Sequence, residues 1–342
     1  MPSGPSGGIR LLRSPAMKEI GLVGVPFSGR STLFTALTRT GSHGGQSNVA
    51  VVVVPDPRLA VLTEMERSRK TVHAQVGFVD VPGGVSSAHG IAKLRETDAL
   101  AVVVRCFGAE AEPAGELATV RSELLLADLA VVDPSLQKAE KRAKGRETEE
   151  VAALRRAHAA LEAETPIRDA GLSDADLASL RGLALLTAKP ELVVANLEEG
   201  TTVPAELASV GAVGVYASIE AETAEMESDE ARALLEEFGV TEPGLETVIA
   251  ACYRALDLIT FLTTGEDETR AWEVRRGATA PEAAGVIHTD LQRGFIRAEV
   301  ISYDELVAAG SMDAAHHAGK IRVEGKDYVV REGDILHVRF AV

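Results

Sequence analysis

The sequence predicts an α/β protein: a doubly wound parallel sheet into which a helical hairpin is inserted, followed by a compact module of short strands. Three observations predict this fold. Apolar runs at residues 99–107, 191–196 and 212–218 are nearly continuous, as in parallel strands that are buried on both faces. Residues 112–184 carry apolar side chains at helical spacing. After residue 257, short strand patterns alternate with turns that contain glycine.

A glycine-rich stretch follows the first predicted strand, residues 20–23. It consists of Gly24, Val25, Pro26, Phe27, Ser28, Gly29, Arg30 and Ser31. Apolar residues at helical spacing come next, and the order strand, glycine-rich turn, helix is typical of a P-loop. The N–H groups of such a loop point at a phosphate, and the helix adds the positive end of its dipole. The alternative is a turn that binds nothing.

Arg30 stands where the P-loop pattern has lysine. An ammonium group is a compact point charge that reaches the β- and γ-phosphates, whereas a guanidinium group is a wide planar fork. The exchange therefore keeps the charge and changes its geometry. The next residue, Ser31, has the hydroxyl group that binds Mg²⁺ in this pattern and is a candidate metal ligand.

A second motif, D-x-x-G, ends the predicted strand at residues 76–83. Asp80 is placed to hold Mg²⁺ through a water molecule, and the N–H group of Gly83 is placed to bind a γ-phosphate. Asp80 is therefore the second candidate metal ligand. The predicted catalytic residues are Arg30, Asp80 and Gly83.

Four candidate motifs follow predicted strands, at residues 24–31, 80–83, 196–199 and 217–218. The carboxyl ends of parallel strands meet at one edge of a doubly wound sheet, where its ligand crevice lies. We therefore expect the four motifs to lie together. The predicted nucleotide-binding residues are Gly24, Ser28, Gly29, Arg30, Ser31, Thr32, Asn196, Glu199 and Ser218.

Residues 112–184 predict an antiparallel helical hairpin with a charged turn at residues 138–150. Its apolar stripes consist of Leu117, Val120, Leu124, Leu125 and Leu129, and of Val151, Leu154, His158 and Leu161. The dipeptide Asp133-Pro134 either kinks the first arm or starts a new helix. The hairpin is either a packing element or an arm that contacts a partner.

The stretch from residue 257 onwards predicts a β-grasp module, with strands at 258–264, 270–276, 295–302, 320–323 and 335–340 and a helix at 303–309. It contains a group of basic residues, which are Arg270, Arg275, Arg276, Arg293, Arg297, Lys320, Arg322 and Lys326. We interpret this group either as a solvated strand face or as an RNA-facing patch on adjacent strands. In the second interpretation Trp272 is available to stack on a base.

Composition limits the class of protein. The chain has 342 residues and a formal net charge of -16, which argues against a protein coated in nucleic acid, so we expect no DNA partner. Cys106 and Cys252 are too few for a disulfide framework and are interpreted as reduced thiols of a cytoplasmic protein. No apolar run approaches the ~20 residues of a membrane span. Residues 1–16 are interpreted as a disordered tail or as an over-extended start before Met17.

Residues 17–342 resemble the YchF or Obg-like ATPase family. The stretches that carry the resemblance are residues 52–59, 103–107, 185–190, 196–199 and 283–301. The resemblance implies a P-loop nucleotide-binding domain at 17–111 and 185–256. It also implies that this domain is interrupted by the hairpin at 112–184 and followed by a TGS-like β-grasp domain at 257–342.

The resemblance also implies an ATPase or GTPase that uses Mg²⁺ and associates with ribosomes. Members of the family read the base with Asn-x-x-Glu, here Asn196 to Glu199, where guanine-specific GTPases have Asn-Lys-x-Asp. That Asp accepts two hydrogen bonds from guanine, and adenine has no such pair of donors. The resemblance therefore favours ATP over GTP, and the ribosome or RNA as partner of the hairpin and the C-terminal domain.

Three departures from the family pattern concern catalysis. Arg30 replaces lysine, the first switch loop is cut down to about residues 41–47, and the second is reduced to residues 84–90. The family carries an apolar residue where guanine-specific GTPases have a catalytic Gln, and here the position is Gly84, which has no side chain to orient water. We therefore expect slow or impaired hydrolysis. The alternative is a non-hydrolysing scaffold that docks on the ribosome or on RNA.

Overall fold

The computed structural model describes residues 17–38, 48–224, 226, 228–238, 240 and 244–341. The predicted tail at 1–16 and the shortened switch loop at 41–47 lie outside the described residues. Within them, no helix is both long and apolar enough to cross a membrane.

The strands are β1 Glu19–Val23, β2 Asn48–Val53, β3 Thr71–Val72, β4 Gln75–Asp80, β5 Ala99–Cys106, β6 Glu191–Leu197, β7 Val213–Val215, β8 Leu258–Thr263, β9 Thr269–Arg275, β10 Phe295–Ser302, β11 Arg322–Glu324 and β12 Asp334–Phe340. The α-helices are α1 Arg30–Thr38, α2 Arg58–Glu66, α3 Ala88–Glu96, α4 Pro113–Ala143, α5 Glu149–Glu162, α6 Asp174–Leu180, α7 Ala205–Ala208, α8 Ala217–Thr223, α9 Ser228–Glu237, α10 Gly244–Ala255, α11 Ala280–Ile287, α12 Thr289–Arg293, α13 Tyr303–Ala309 and α14 Met312–His317.

The first sheet has the order β2-β4-β1-β5-β6-β7. All its neighbours pair in parallel except β2, which runs antiparallel to β4 at the edge. Apolar clusters cover both faces, with Phe34 of α1 in one and Leu94 of α3 in the other. The doubly wound α/β prediction is therefore confirmed. The antiparallel edge strand is a detail that the apolar pattern does not reveal, because burial is the same in either direction.

The predicted hairpin consists of α4 and α5, which pack against each other. Helix α4 runs on through Pro134, so no new helix begins there. The turn between the arms is shorter than predicted and contains Lys144 and Gly145, both with positive φ. Leu117 and Leu124 pack on the first sheet, whereas Val132 and Leu154 belong to the core between the two arms. The first arm thus changes its packing partner along its length.

The second sheet has the order β11-β10-β12-β8-β9-β3, and α11 packs against β9 and β10. This is the β-grasp arrangement that the sequence predicts. Its edge strand β3 comes from the N-terminal half of the chain and pairs in parallel with β9. One face of the sheet contributes Leu262 and Ile335 to the same apolar cluster as Leu22 of β1 and Phe34 of α1. The two sheets therefore share a hydrophobic core.

Both cysteines are free thiols. Burial is the main cause that raises the pKa of Cys106 to about 11 and that of Cys252 to about 12. Both side chains are therefore protonated and unreactive at neutral pH.

Candidate nucleotide-binding site

The four predicted motifs meet at one edge of the first sheet, as expected. Residues 24–31 connect β1 to α1, Asp80 is the last residue of β4, Asn196 lies in β6, and α8 begins just after β7. Because β1, β4, β6 and β7 are parallel, all four motifs lie at their carboxyl ends.

The loop at residues 24–31 has the curl of a P-loop. Phe27 and Gly29 both have positive φ, of 66° and 82°. A β-carbon at Gly29 would lie 2.0 Å from the side-chain nitrogen of Asn196, and one at Gly24 would lie 2.6 Å from the carbonyl oxygen of Val103. Glycine is therefore required at both positions, because neighbouring atoms lie too close for a β-carbon. Phe27 is 88% exposed and projects from the loop.

Ser28 is buried at the base of the loop. Its side chain is 1% exposed, and its hydroxyl has no hydrogen-bond partner within the described part of the chain. Its backbone N–H donates to the carbonyl of Val25 at 3.2 Å. The hydroxyl lies against Gly24 instead, at 2.5 Å from where a β-carbon of that glycine would be. In this arrangement the Ser28 side chain supports the curl of the loop by packing against Gly24.

Asn196 joins the P-loop to the loop before α8. Its side-chain amide donates to the carbonyl of Ser28 at 3.1 Å, and its side-chain oxygen accepts from the N–H of Ala217 at 3.3 Å. Asn196 is buried, so these bonds lie out of water. One side chain thereby sets the distance between the phosphate side and the base side of the candidate site.

The base side of the site is open. Glu199 and Ser218 are both exposed and are free to face a ligand. Glu198 accepts a hydrogen bond from the N–H of Gly108 at 3.4 Å, so the loop after β5 lies beside them. Phe107, in that loop, lies 3.7 Å from where a β-carbon of Gly29 would be. The sequence analysis did not select Phe107. It could have been found, because Phe107 directly follows β5 and ligand sites lie at the carboxyl ends of parallel strands.

Arg30, Ser31 and Asp80 form a compact cluster. The hydroxyl of Ser31 donates to Oδ2 of Asp80 at 2.9 Å, and Nε of Arg30 lies 2.6 Å from Oδ1. The Arg30 side chain is 16% exposed and that of Asp80 is 3% exposed. Thr32 is exposed at the start of α1. The predicted catalytic residues Arg30 and Asp80 are thus ion-paired with each other.

The segment after β4 turns sharply next to this cluster. Gly83 and Gly84 have φ of 78° and 46°, in the left-handed region that favours glycine. A β-carbon at Gly84 would lie 2.6 Å from Nη1 of Arg30. Ser87 then caps α3 by accepting from the N–H of Gly90 at 2.9 Å. Gly84 therefore packs directly against the guanidinium group.

Ser31 and Asp80 carry the oxygen atoms that Mg²⁺ prefers. Oδ2 of Asp80 accepts a hydrogen bond from Ser31, whereas Oδ1 lies in an ion pair with Nε of Arg30, and neither atom of that pair has a hydrogen-bond partner among the described residues. A dication at this carboxylate would lie beside a guanidinium group of like charge. The cluster does not fit Mg²⁺ bound at Asp80 while Arg30 keeps this position. Within the ranges described above, no group of three or more His, Cys, Asp or Glu is arranged to hold a metal.

The predicted basic patch does not lie on adjacent strands. Strands β9, with Arg270 and Arg275, and β10, with Arg297, are separated by β8 and β12. Trp272 is also not available to stack on a base. The guanidinium of Arg270 lies 4.0 Å from its ring centroid, and Phe261 stacks on it at 6.4 Å. The prediction that these basic residues lie on adjacent strands was wrong, because a pattern along the chain does not give the strand order.

Comparisons with known proteins show the family to which this fold belongs. The family model YchF-GTPase_C, described as "Protein of unknown function (DUF933)", matches residues 258–341. The Ribosome-binding ATPase YchF of Haemophilus ducreyi is 40% identical over 95% of this chain and 99% of its own length. The Ribosome-binding ATPase YchF of Bacillus subtilis is 38% identical over 94% of this chain and 99% of its own length. The solved structure of the YchF GTPase of Schizosaccharomyces pombe matches this fold with a TM-score of 0.83 and 28% sequence identity. The match covers 94% of this chain and 97% of that one. This chain therefore belongs to the YchF family.

Proposed function

We propose that this chain binds a nucleoside triphosphate at the carboxyl edge of the first sheet and associates with ribosomes in the cytoplasm. The observation that carries nucleotide binding is a pair of hydrogen bonds at Asn196, which donates to the carbonyl of Ser28 and accepts from the N–H of Ala217 and so joins a P-loop to a base-side loop. Relatives named ribosome-binding ATPase, similar over nearly their whole length, support the ribosomal partner.

The proposed nucleotide is ATP rather than GTP. Glu199 stands where guanine-specific GTPases have Asp, and its exposed side chain lies in the loop that follows β6. Calorimetry with ATP, ADP, GTP and GDP tests the proposal, and we expect the adenine nucleotides to bind at least as tightly. Glu199→Asp is the matched variant and should shift affinity towards guanine. A clear guanine preference of the unmodified protein would contradict the proposal.

The proposed hydrolysis is slow. Arg30 lies against Asp80 instead of pointing into the loop, and Gly84 has no side chain to orient water. Loss of one well-placed electrostatic group commonly lowers a rate by ~10²-fold or more. A turnover assay on purified protein with ATP and GTP tests this, and Arg30→Lys should raise affinity or turnover. Brisk hydrolysis that Arg30→Lys slows would instead make Arg30 an adapted catalytic residue.

A second candidate function is a scaffold that docks on the ribosome without hydrolysis. The Arg30–Asp80 ion pair favours it, since it occupies two predicted catalytic residues. The proposed docking elements are the hairpin of α4 and α5 and the TGS-like domain. Nucleotide binding without detectable turnover, together with ribosome cosedimentation, is the result expected of this function.

A further inference from the structure

Arg30 fills the space between the P-loop and the segment that follows β4. Its Nε lies 2.6 Å from Oδ1 of Asp80, and the side chains of both residues are largely buried. The contact is an ion pair without a hydrogen bond, since neither atom has a hydrogen-bond partner in the described part of the chain. A buried carboxylate requires a partner of opposite charge, because an isolated charge is costly away from water. Asp80 therefore already has, from within the chain, the positive charge that a metal ion would supply.

Gly84 makes room for this guanidinium group. A β-carbon at this position would lie 2.6 Å from Nη1 of Arg30, closer than β-carbons come to other atoms. Two departures from the usual pattern, arginine in the P-loop and glycine after D-x-x-G, are thus in direct contact. The absence of a side chain at residue 84 leaves space for the wide guanidinium fork of residue 30.

We propose that Arg30 is a built-in cation that replaces Mg²⁺ at Asp80, with Gly84 providing the space for it, so that nucleotide binding does not require the metal. This inference rests on the proposed nucleotide binding. A dication brought to Asp80 would be repelled by Arg30 and would have to displace it from a buried ion pair. The opposing outcome is that Arg30 moves towards the phosphates when nucleotide binds and that Mg²⁺ then takes its place at Asp80.

Calorimetric titration of ADP and ATP, with Mg²⁺ and with EDTA, tests the inference. We expect the dissociation constant of the unmodified protein to change less than about threefold between the two conditions. Arg30→Lys replaces the wide fork by a point charge with a shorter reach. For this variant we expect nucleotide binding to be about tenfold or more weaker in EDTA than in Mg²⁺. A loss of about tenfold in the unmodified protein would overturn the inference and leave the proposed function intact. No binding under either condition would overturn both.

A double-mutant cycle tests the contact between Arg30 and Gly84. Gly84→Ala is strained in any background because of its positive φ. We therefore expect it to lower the urea midpoint of unfolding in both backgrounds, and to lower it clearly more beside Arg30 than beside Arg30→Lys. The difference isolates the steric contact. An equal drop of the urea midpoint in the two backgrounds would show that residues 30 and 84 act independently. It would overturn the inference that Gly84 provides the space for Arg30.

Discussion

Single buried polar residues hold the candidate site together, and Asn196 is the one with most influence. It provides a donor for the carbonyl of Ser28 and an acceptor for the N–H of Ala217. Buried backbone groups that lose such partners retain the cost of leaving water. The geometry of the P-loop therefore depends on a side chain that lies 168 residues further along the chain.

Asn196→Ala should lower the free energy of unfolding by about 1–3 kcal/mol, because two backbone groups lose their partners. It should also weaken nucleotide binding, since the two loops are no longer joined. Urea unfolding and calorimetry measure the two effects. Glu236→Ala is the control, because Glu236 is exposed on α9 and should change stability by less than about 0.5 kcal/mol. Equal effects of the two variants would contradict this role of Asn196.

At the scale of elements, Asp128 attaches the hairpin to the first sheet. This residue of α4 is 0% exposed. It accepts hydrogen bonds from the N–H groups of Leu186 and Thr187 at 3.0 and 2.7 Å, and from the Thr187 hydroxyl at 2.8 Å. Arg95 of α3 pairs with it at 3.0 Å. One carboxylate thus joins α4, α3 and the segment before β6.

Asp128→Ala should lower the free energy of unfolding by about 3–5 kcal/mol, because it leaves Arg95 and two backbone donors without their buried partner. Chemical unfolding measures the loss. The matched control on the same helix is Asp133→Ala, an exposed position where the expected loss is below about 1 kcal/mol. A small loss at Asp128 would mean that packing alone holds the hairpin in place.

At the scale of the whole molecule, a titratable residue lies where the two sheets meet. Glu273 of β9 lines a cavity of about 540 Å³ together with Lys18 and Asp98, which immediately precede β1 and β5 of the first sheet. Burial is the largest cause acting on this carboxyl and raises its pKa to about 7, while the N–H of Gln75 and nearby cations oppose the shift. We therefore expect the stability of the folded chain to depend on the protonation of Glu273.

The folded state binds the Glu273 proton more tightly than the unfolded chain, so this group lowers stability as pH rises from about 4.5 to about 7. Glu273→Gln should therefore be more stable than the unmodified protein at pH 8, on the order of 2 kcal/mol, and the difference should vanish near pH 4.5. Urea unfolding across this range measures it. The exposed Glu236→Gln is the control and should leave the pH profile unchanged.

The proposed ribosome contact is a second property of the whole molecule. Arg275 is exposed at the end of β9, and Arg276 follows it with an exposed ion pair to Asp257. Each phosphate neutralised by such residues releases counterions, so the association should weaken as salt rises. Reversing both charges to Glu should reduce cosedimentation with ribosomes at low salt.

The control for this variant reverses Arg67 and Arg232, which are exposed and lie outside both proposed docking elements. It changes the net charge by the same amount and should cosediment like the unmodified protein. Unchanged cosedimentation of the variant at Arg275 and Arg276, or no cosedimentation at any salt, would rule out an RNA contact by these two residues and favour a protein partner.

The sequence alone determined the strands, the hairpin, the β-grasp module and the edge where the site lies. These features have local causes: apolar periodicity sets the type of element, and the spacing of Gly24, Gly29 and Ser31 sets a P-loop. Parallel strands then bring Asp80 and Asn196 to the same edge, wherever they occur in the chain. The resemblance to the YchF family was likewise carried by short runs of residues.

Only the tertiary structure decided which side chains meet. It paired Arg30 with Asp80 and packed Gly84 against the guanidinium group. It also covered Trp272 with Arg270 and Phe261. Such contacts join residues far apart in the chain, and they depend on strand order and side-chain direction, which the apolar pattern does not encode. A periodic pattern determines which face of an element is buried, whereas packing determines which residues lie against it.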